Sequence, residues 1–482
     1  MYATKAGNLA RSEEGRTAAN ERRRLHAADR IVEVLGQMKG PAMKIGQMAS
    51  VLDLGGLPPD EVERLHAKLG ELRDQAPQVS FKEMRKVIEQ DLGESIEDVF
   101  AEFDTNAVAA ASIGQVYRAR LSNGRDVAVK VQYPRVAAAV RADLQSLGLI
   151  MRAAQRFAPG LDPTATAFEL RERISEELDY EHEAQAQRAF ARRWRGHPFI
   201  LVPDVVTRLC RGRVLVTDWI DGIGFDQIKE ASRATRDRVG EIVLRFFLGS
   251  LYRFGHFSAD PHPGNFRLMG DGRVAFLDFG MTKTVARSRI ASELAVIRAA
   301  LEHDADAAHA GLAALGFFER DDPRFVPAHV LEHVRAINAW YAEDEPVTLS
   351  PQYVSALLAH AGDPRSEYWD LMRHETIPAE SLLSSRMQVM TLAAVGQLNP
   401  TANWRRIMSE WLYGSLPTST LGVAEAEFFE TRLPAADRRR SPCPADDPDV
   451  KHLIVDGHDL SQQPFSGAAR GLAGCDLGVV DV

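Results

Sequence analysis

Asn123-Gly124, set between two runs of alternating apolar residues, limits what this chain can fold into more tightly than any other feature. Asn-Gly in that setting is the strongest short-range hairpin signal. It predicts two antiparallel strands, 108–121 and 126–133, joined through Ser122-Asn123-Gly124. Alternation in the second puts Val127, Val129 and Val131 on one face and Ala128 and Lys130 on the other, so a single amine rises from an apolar hairpin. Upstream the period is helical, with Ile31, Leu35, Met38, Ala42, Ile45 and Ala49 at spacings of three and four and a kink at Gly40-Pro41. Pro58-Pro59 ahead of Asp60-Glu61 marks another helix start, and Ser80 with Glu83 predicts a capping box. The first hundred residues are expected to be mainly helical, with the period changing near Ala107.

Helical patterns return over 136–157 and 165–194, strand-like runs follow at 199–206 and 214–220, and a helix spans 236–253. A second small hairpin is expected over 265–269 and 274–279, around Gly270-Asp271-Gly272, before a helical stretch to about Tyr413. At 482 residues the chain exceeds what one hydrophobic core supports. The divisions expected are a polar, poorly ordered start (1–25), a helical extension (26–106), an α+β lobe with a helical insert (107–222), a helical lobe (223–430) and a poorly ordered tail (431–482). With 45% hydrophobic and 26% charged residues, the composition is that of an ordinary soluble globular protein. A net charge of −9 supplies no basic field for nucleic acid. Cys210, Cys443 and Cys475 form neither a disulfide framework nor a zinc spacing, which fits a reducing cytoplasm. The amino terminus has no signal-peptide core, and the most apolar stretch, 242–257, is interrupted by Arg245 and Arg253, so no transmembrane segment is expected.

Three pieces carry chemistry. Lys130 in Val-Ala-Val-Lys can grip phosphates, although alone it reads equally well as an edge-strand lysine. In Ala259-Asp260-Pro261-His262-Pro263-Gly264-Asn265 an aspartate precedes an asparagine by five residues across a proline- and glycine-held loop, and Leu277-Asp278-Phe279-Gly280 follows. Phosphoryl transfer needs one carboxylate to orient the acceptor, and a carboxamide and a second carboxylate to hold magnesium against nucleotide phosphates. The hairpin between Asn265 and Asp278 would fold these groups onto one site, and together they are specific where each alone is weak.

At this point the residues resemble the UbiB or AarF group of atypical protein-kinase-like proteins, linked to coenzyme Q and other prenyl-lipid metabolism. Met43-Lys44-Ile45-Gly46-Gln47 looks like the family's Lys-x-Gly-Gln signature, Ala109-Ala110-Ala111-Ser112-Ile113-Gly114-Gln115 its alanine-rich nucleotide loop, and Glu177-Leu178-Asp179-Tyr180 its Glu-x-Asp motif. The resemblance implies a two-lobed kinase-like α+β fold with ATP and Mg2+ as cofactors. It assigns Lys130 and Asp260 to catalysis, Ala109, Ala110, Ala111, Ser112, Lys130 and Glu183 to the nucleotide, and Asn265 and Asp278 to the metal. Lys44 and Gln47 would cover the site, with Lys44 pairing Glu177 or Asp179. Helical spacing alone leaves open whether Asp179 or Glu183 reaches Lys130; the resemblance chooses Glu183.

The resemblance implies a small, lipid-like or prenyl-phenol acceptor; no Ala-Pro-Glu follows Asp-Phe-Gly to build a peptide-docking segment, which argues against a protein substrate. Two other readings stand beside it, a small-molecule phosphotransferase of the aminoglycoside or choline type and a non-catalytic nucleotide-binding scaffold. Ser258 stands where relatives often carry histidine. His262 and His256 read as loop braces rather than ligands. Thr217-Asp218-Trp219-Ile220 reads either as an adenine-contacting hinge or as a strand end with a buried tryptophan. The basic runs at 22–24 and 438–440 offer peripheral membrane contact, although short runs are usually solvated.

Overall fold

β4 (Asp126–Gln132) is the axle of a five-stranded antiparallel sheet in the computed structural model, which describes residues 79–111, 113–138, 178–360, 368, 371 and 374–432. β1 (Phe100–Phe103), β3 (Gly114–Leu121), β4 and β6 (Val214–Asp218) lie in that order, and β2 (Ala109–Ala111) pairs with β3. Gly124 takes φ +84° in the β3–β4 turn, a left-handed position that glycine occupies at no steric cost, while Asn123 Oδ1 accepts the Arg125 N–H at 3.1 Å. Alternation works as the sequence demands. Val127, Val129 and Val131 are fully buried against Met84, Val87 and Ile88 of α1 (Phe81–Leu92). On the opposite face Leu215 packs with Tyr180 and Ala184 of α2 (Tyr180–Trp194).

Three expectations are corrected. The run 108–121 is not one strand but β2 and β3 paired antiparallel, Ala111 opposite Gly114. A Cβ at Gly114 would lie 2.1 Å from the Val131 carbonyl oxygen, so the chain closes onto β4 only through glycine. Phe100–Phe103, inside the stretch expected to be helical, is a strand, because Phe103 meets Tyr117 at 5.4 Å and Phe81 at 5.6 Å in the sheet's core. The capping box at Ser80 does not form: the hydroxyl donates to Glu83 Oε2 at 3.1 Å instead of accepting a backbone N–H. The expectations for 1–25, for 26–78 of the extension, for 139–177 of the helical insert and for the tail from 433 lie outside the described residues.

The helical portion is built around α3 (Arg233–Gly249), buried continuously from Val239 to Gly249. A π-turn, Ser250–Phe254, extends it to Gly255. The segment 242–254 is thus core helix, turned at Gly255 into a strand, and among the described residues no helix is long and apolar enough to cross a membrane. The ribbon β7 (His256–Ser258) with β10 (Thr282–Thr284) and the small sheet β5 (Ile200–Leu201), β9 (Val274–Phe276) and β8 (Phe266–Leu268) lie between α3 and the next helices. Those are α4 (Arg287–Leu301), α5 (Ala305–Ala314), α6 (Pro327–Ile337), α7 (Pro351–His360), α8 (Ala379–Leu398), α9 (Trp404–Leu412) and α10 (Thr420–Arg432). The expected hairpin around Gly270 to Gly272 is present as β8 and β9, whereas the strand expected over 199–206 shrinks to β5 and a bridge at Val205.

Arg245 pins this portion together. Fully buried, it donates to Glu241 at 2.7 Å, to Glu410 at 2.7 and 2.8 Å and to Glu425 at 2.9 Å, joining α3, α9 and α10. Burial disfavours its charge, but the three carboxylates more than offset that and hold it more firmly protonated than usual. Removing the cation strands buried carboxylates. Arg245→Met should therefore cost about 3–5 kcal/mol in denaturant unfolding, whereas a loss below about 1 kcal/mol would mean that water or the acids' own protonation compensates.

Candidate functional site

Lys130 emerges from the only polar position in the centre of β4, in cross-strand register with Val116 and Leu215. Its Nζ donates to Glu183 at 2.8 Å and 3.0 Å and to Asp278 Oδ2 at 3.4 Å, and stands 5.0 Å from the Tyr180 ring centroid. The choice between Asp179 and Glu183 is resolved by helix geometry. Asp179 is the N-cap of α2, and its carboxylate accepts the Glu181 N–H at 2.9 Å. Glu183, one turn further, is buried and aimed at the amine.

Burial alone would push the Lys130 amine toward neutrality, but Asp278 and Glu183, with smaller help from Tyr180, raise its pKa well above the ordinary lysine value. A raised folded pKa means that this stabilisation is complete at neutral pH and is lost only as pH rises through that value.

Asp260 and Asn265 meet across a single 3-10 turn, Pro263–Asn265. Asn265 Nδ2 donates to Asp260 Oδ2 at 3.1 Å and to its carbonyl at 3.3 Å. His262 braces the turn as expected, its Nδ1 accepting the Gly264 N–H at 3.0 Å. The β8–β9 hairpin then brings Leu277 back, its N–H bonded to the Asn265 carbonyl at 2.8 Å, so that Asp278 follows directly. Asp278 Oδ1 accepts the Gly280 N–H at 3.0 Å, and Ser258 donates to the Asp278 carbonyl at 3.4 Å from where a histidine was expected in relatives. Phe279 is fully buried against Phe190 of α2, centroids 4.9 Å apart. Immediately after, β10 and α4 begin, leaving no length for a peptide-docking segment.

The structure thus brings together Lys130, Glu183 and Asp278, and separately Asp260 with Asn265, one hydrogen bond from Asp278's neighbour. Ala109 and Ala110 are exposed on β2, in the rows of Val116 and Gln115. Lys44, Gln47, Ser112 and Glu177 lie outside the described residues. Trp219 is half-buried, not buried, under Arg118 at 5.0 Å. The N–H groups of Asp218 and Trp219 are spent on Asp204 and Asp126, so neither offers an amide to adenine. Sequence reasoning missed Arg386 of α8, which donates to the Ala259 carbonyl at 3.3 Å and braces the loop from 127 residues away, beyond any local pattern. It also missed Tyr180, although the tyrosine beside Glu-x-Asp could have flagged it.

The ABC1 atypical kinase-like domain matches residues 71–311. The chain belongs to this family, the one that holds the UbiB and AarF proteins. It is 33% identical over 280 residues to "Atypical kinase COQ8B, mitochondrial" of Rattus norvegicus, covering 58% of this chain and 52% of the relative. It is 30% identical over 290 residues to "Atypical kinase COQ8, mitochondrial" of Saccharomyces cerevisiae, covering 60% and 57%. The chain therefore spans about half the length of these relatives. A solved structure of Rv3197 from Mycobacterium tuberculosis, in complex with erythromycin, matches with TM-score 0.60 at 29% identity, over 83% of this chain and 98% of that one. The α+β fold agrees with a member of this atypical kinase family.

Acylation kinetics test the Lys130 environment. At about pH 9, an amine-directed reagent should modify Lys130 more slowly than exposed Lys82 and Lys86. Glu183→Gln, by leaving burial less opposed, should speed Lys130 labelling several-fold in peptide mass spectra. An unchanged rate would show that the carboxylate does not hold the proton.

Proposed function

We propose that this chain binds ATP with magnesium and either hydrolyses it or transfers its terminal phosphoryl group to a small or lipid-like acceptor, within prenyl-quinone or related lipid metabolism. The observation that carries the reading is the ion cluster in which the strand amine of Lys130 meets both Glu183 and Asp278, with the Asn265 carbonyl bonded to Leu277, the residue before Asp278. In a two-lobed kinase-like arrangement, Lys130 orients the α- and β-phosphates and Glu183 fixes the amine in place. Asn265 and Asp278 suit magnesium: an all-oxygen pair, with the Asn265 amide nitrogen already turned toward Asp260, matches an ion that takes one or two protein oxygens plus phosphates and water. When bound, that ion neutralises phosphate charge. Asp260 orients the attacking hydroxyl or water. Ala109 to Ser112 cover the phosphates in place of a glycine-rich loop.

A lipid-like or phenolic acceptor is favoured over a peptide because β10 and α4 follow Gly280 directly. Lys44 and Gln47, with Glu177 and Asp179, act as a cover over the acceptor side, and contact with a membrane is peripheral.

The test is a magnesium-dependent ATPase assay of the purified chain, with and without anionic liposomes and a phenolic prenyl head-group mimic. Asp278→Asn should lower turnover by roughly a hundredfold or more, and Lys130→Met likewise, while Lys44→Ala should raise it. Full activity in Asp278→Asn would refute the assignment, and tight ATP binding without turnover under all conditions would favour a nucleotide-binding scaffold.

A further inference from the structure

An arginine withdrawn from water normally has an acid beside it. Arg193, in the last turn of α2, has none among the described residues: its guanidinium lies 4.4 Å from the Phe254 ring centroid and 5.5 Å from that of Phe190, and donates at 3.5 Å to His256 Nδ1. Arg287 opens α4, a first turn that contains no acid and where the helix dipole disfavours a cation. It donates to the Tyr252 carbonyl at 3.4 Å. Gly255, at φ +64°, turns the chain between Phe254 and His256, and a Cβ built there would lie 3.8 Å from Arg287 Cδ. The Arg193 guanidinium and the Arg287 side chain therefore both lie beside one glycine turn.

Burial and like charge disfavour the protonated forms of these groups. Burial first, and then the charge of Arg287, lowers Arg193 to about 10. Burial and Arg193 lower His256 to about 4, leaving it a neutral imidazole. Further positive charge lies close by, because Arg432 donates to the Arg193 carbonyl at 2.7 Å. Thr284 pairs with His256 across the β7–β10 ribbon. Directly opposed residues share a face, so the exposed Thr284 side chain stands on the His256 side.

We propose that Arg193, His256 and Arg287 form a binding site for a phosphate-type oxyanion, taken up either as free phosphate or as a phosphate ester on Thr284. Two guanidiniums and an imidazole N–H match the charge and acceptor geometry of such a group. Esterification takes the terminal phosphoryl of a nucleoside triphosphate: the bond from Thr284 Oγ1 to phosphorus forms as the bond to the bridging oxygen breaks, the nucleoside diphosphate leaves, and the hydroxyl proton passes to solvent. The site anchors the far end of the helix that carries Glu183, and Phe190 between them packs on Phe279. It does not depend on the nucleotide reading.

The experiment uses the full chain. After phosphatase treatment, inorganic phosphate is titrated by calorimetry at constant ionic strength set with chloride, and hydrogen exchange is followed over residues 186–194. Wild type should bind one phosphate saturably and slow exchange at those amides. Arg287→Gln, at an exposed position that should tolerate the change, should weaken binding roughly tenfold, and Arg287→Lys should restore part of it. Thr284→Ala should leave free-phosphate binding intact. If the ester is the native occupant, untreated protein carries one phosphoryl group mapped to Thr284 and binds free phosphate only after treatment; if free phosphate is, untreated protein binds it at once. Absence of saturable binding after treatment, or equal affinity in wild type and Arg287→Gln, would overturn the proposal.

Discussion

A single ammonium group held between two carboxylates organises this protein. Lys130 comes from β4, Glu183 from α2 and Asp278 from the segment after β9, so one ion cluster requires the sheet, its packing helix and the loop region to be correctly placed at the same time. Withdrawing three charges from water is expensive unless the geometry is good, and removing one partner leaves the others uncompensated. The cluster is therefore a poor device for stability by itself. Its placement at a strand centre, on the face opposite the valine core, marks it as a site that the fold supports at a cost.

The support is apolar and it reaches that site through α2. Glu183, Phe190 and Arg193 lie along one helix. Phe190 touches Phe279 at 4.9 Å and Phe246 at 6.1 Å, and Phe246 stacks on Phe276 at 3.6 Å, which links α2 to α3 and to the strand preceding Asp278. Rings of this kind pack in few arrangements, so a shift of α2 would move both the partner of Lys130 and the floor beneath Asp278. The last turn of the same helix carries Arg193, which packs on Phe254 and reaches His256 beside the Gly255 turn.

Much of this was legible in the residues. Alternation in Val-Ala-Val-Lys placed Lys130 opposite the valines, Asn-Gly placed the hairpin, and Gly270-Asp271-Gly272 placed the return from Asn265 to Asp278. These are local rules with short range, and they survive folding because nothing distant opposes them. Other readings failed where distant packing overrode local pattern. Phe100–Phe103 follows helical sequence yet is a strand because aromatic burial against Phe81 and Tyr117 outweighs its propensity. Residues 108–121 alternate like one strand, but the close approach of Gly114 to Val131 splits them into two.

The sequence by itself determined which chemical groups this protein owns and the local elements that display them: the strand amine, the turn that joins an aspartate to an asparagine, and the aspartate before Phe-Gly. Periodicity and turn chemistry act over a few residues, so these could be read without coordinates. Only the tertiary structure decided how Glu183 reaches Lys130 while Asp179 caps its helix, that Arg386 steadies a distant loop, and that Arg193 and Arg287 flank a turn with no counter-charge among the described residues. Each of those depends on the direction in which a side chain leaves its element and on what packs across from it, and sequence spacing carries no information about either.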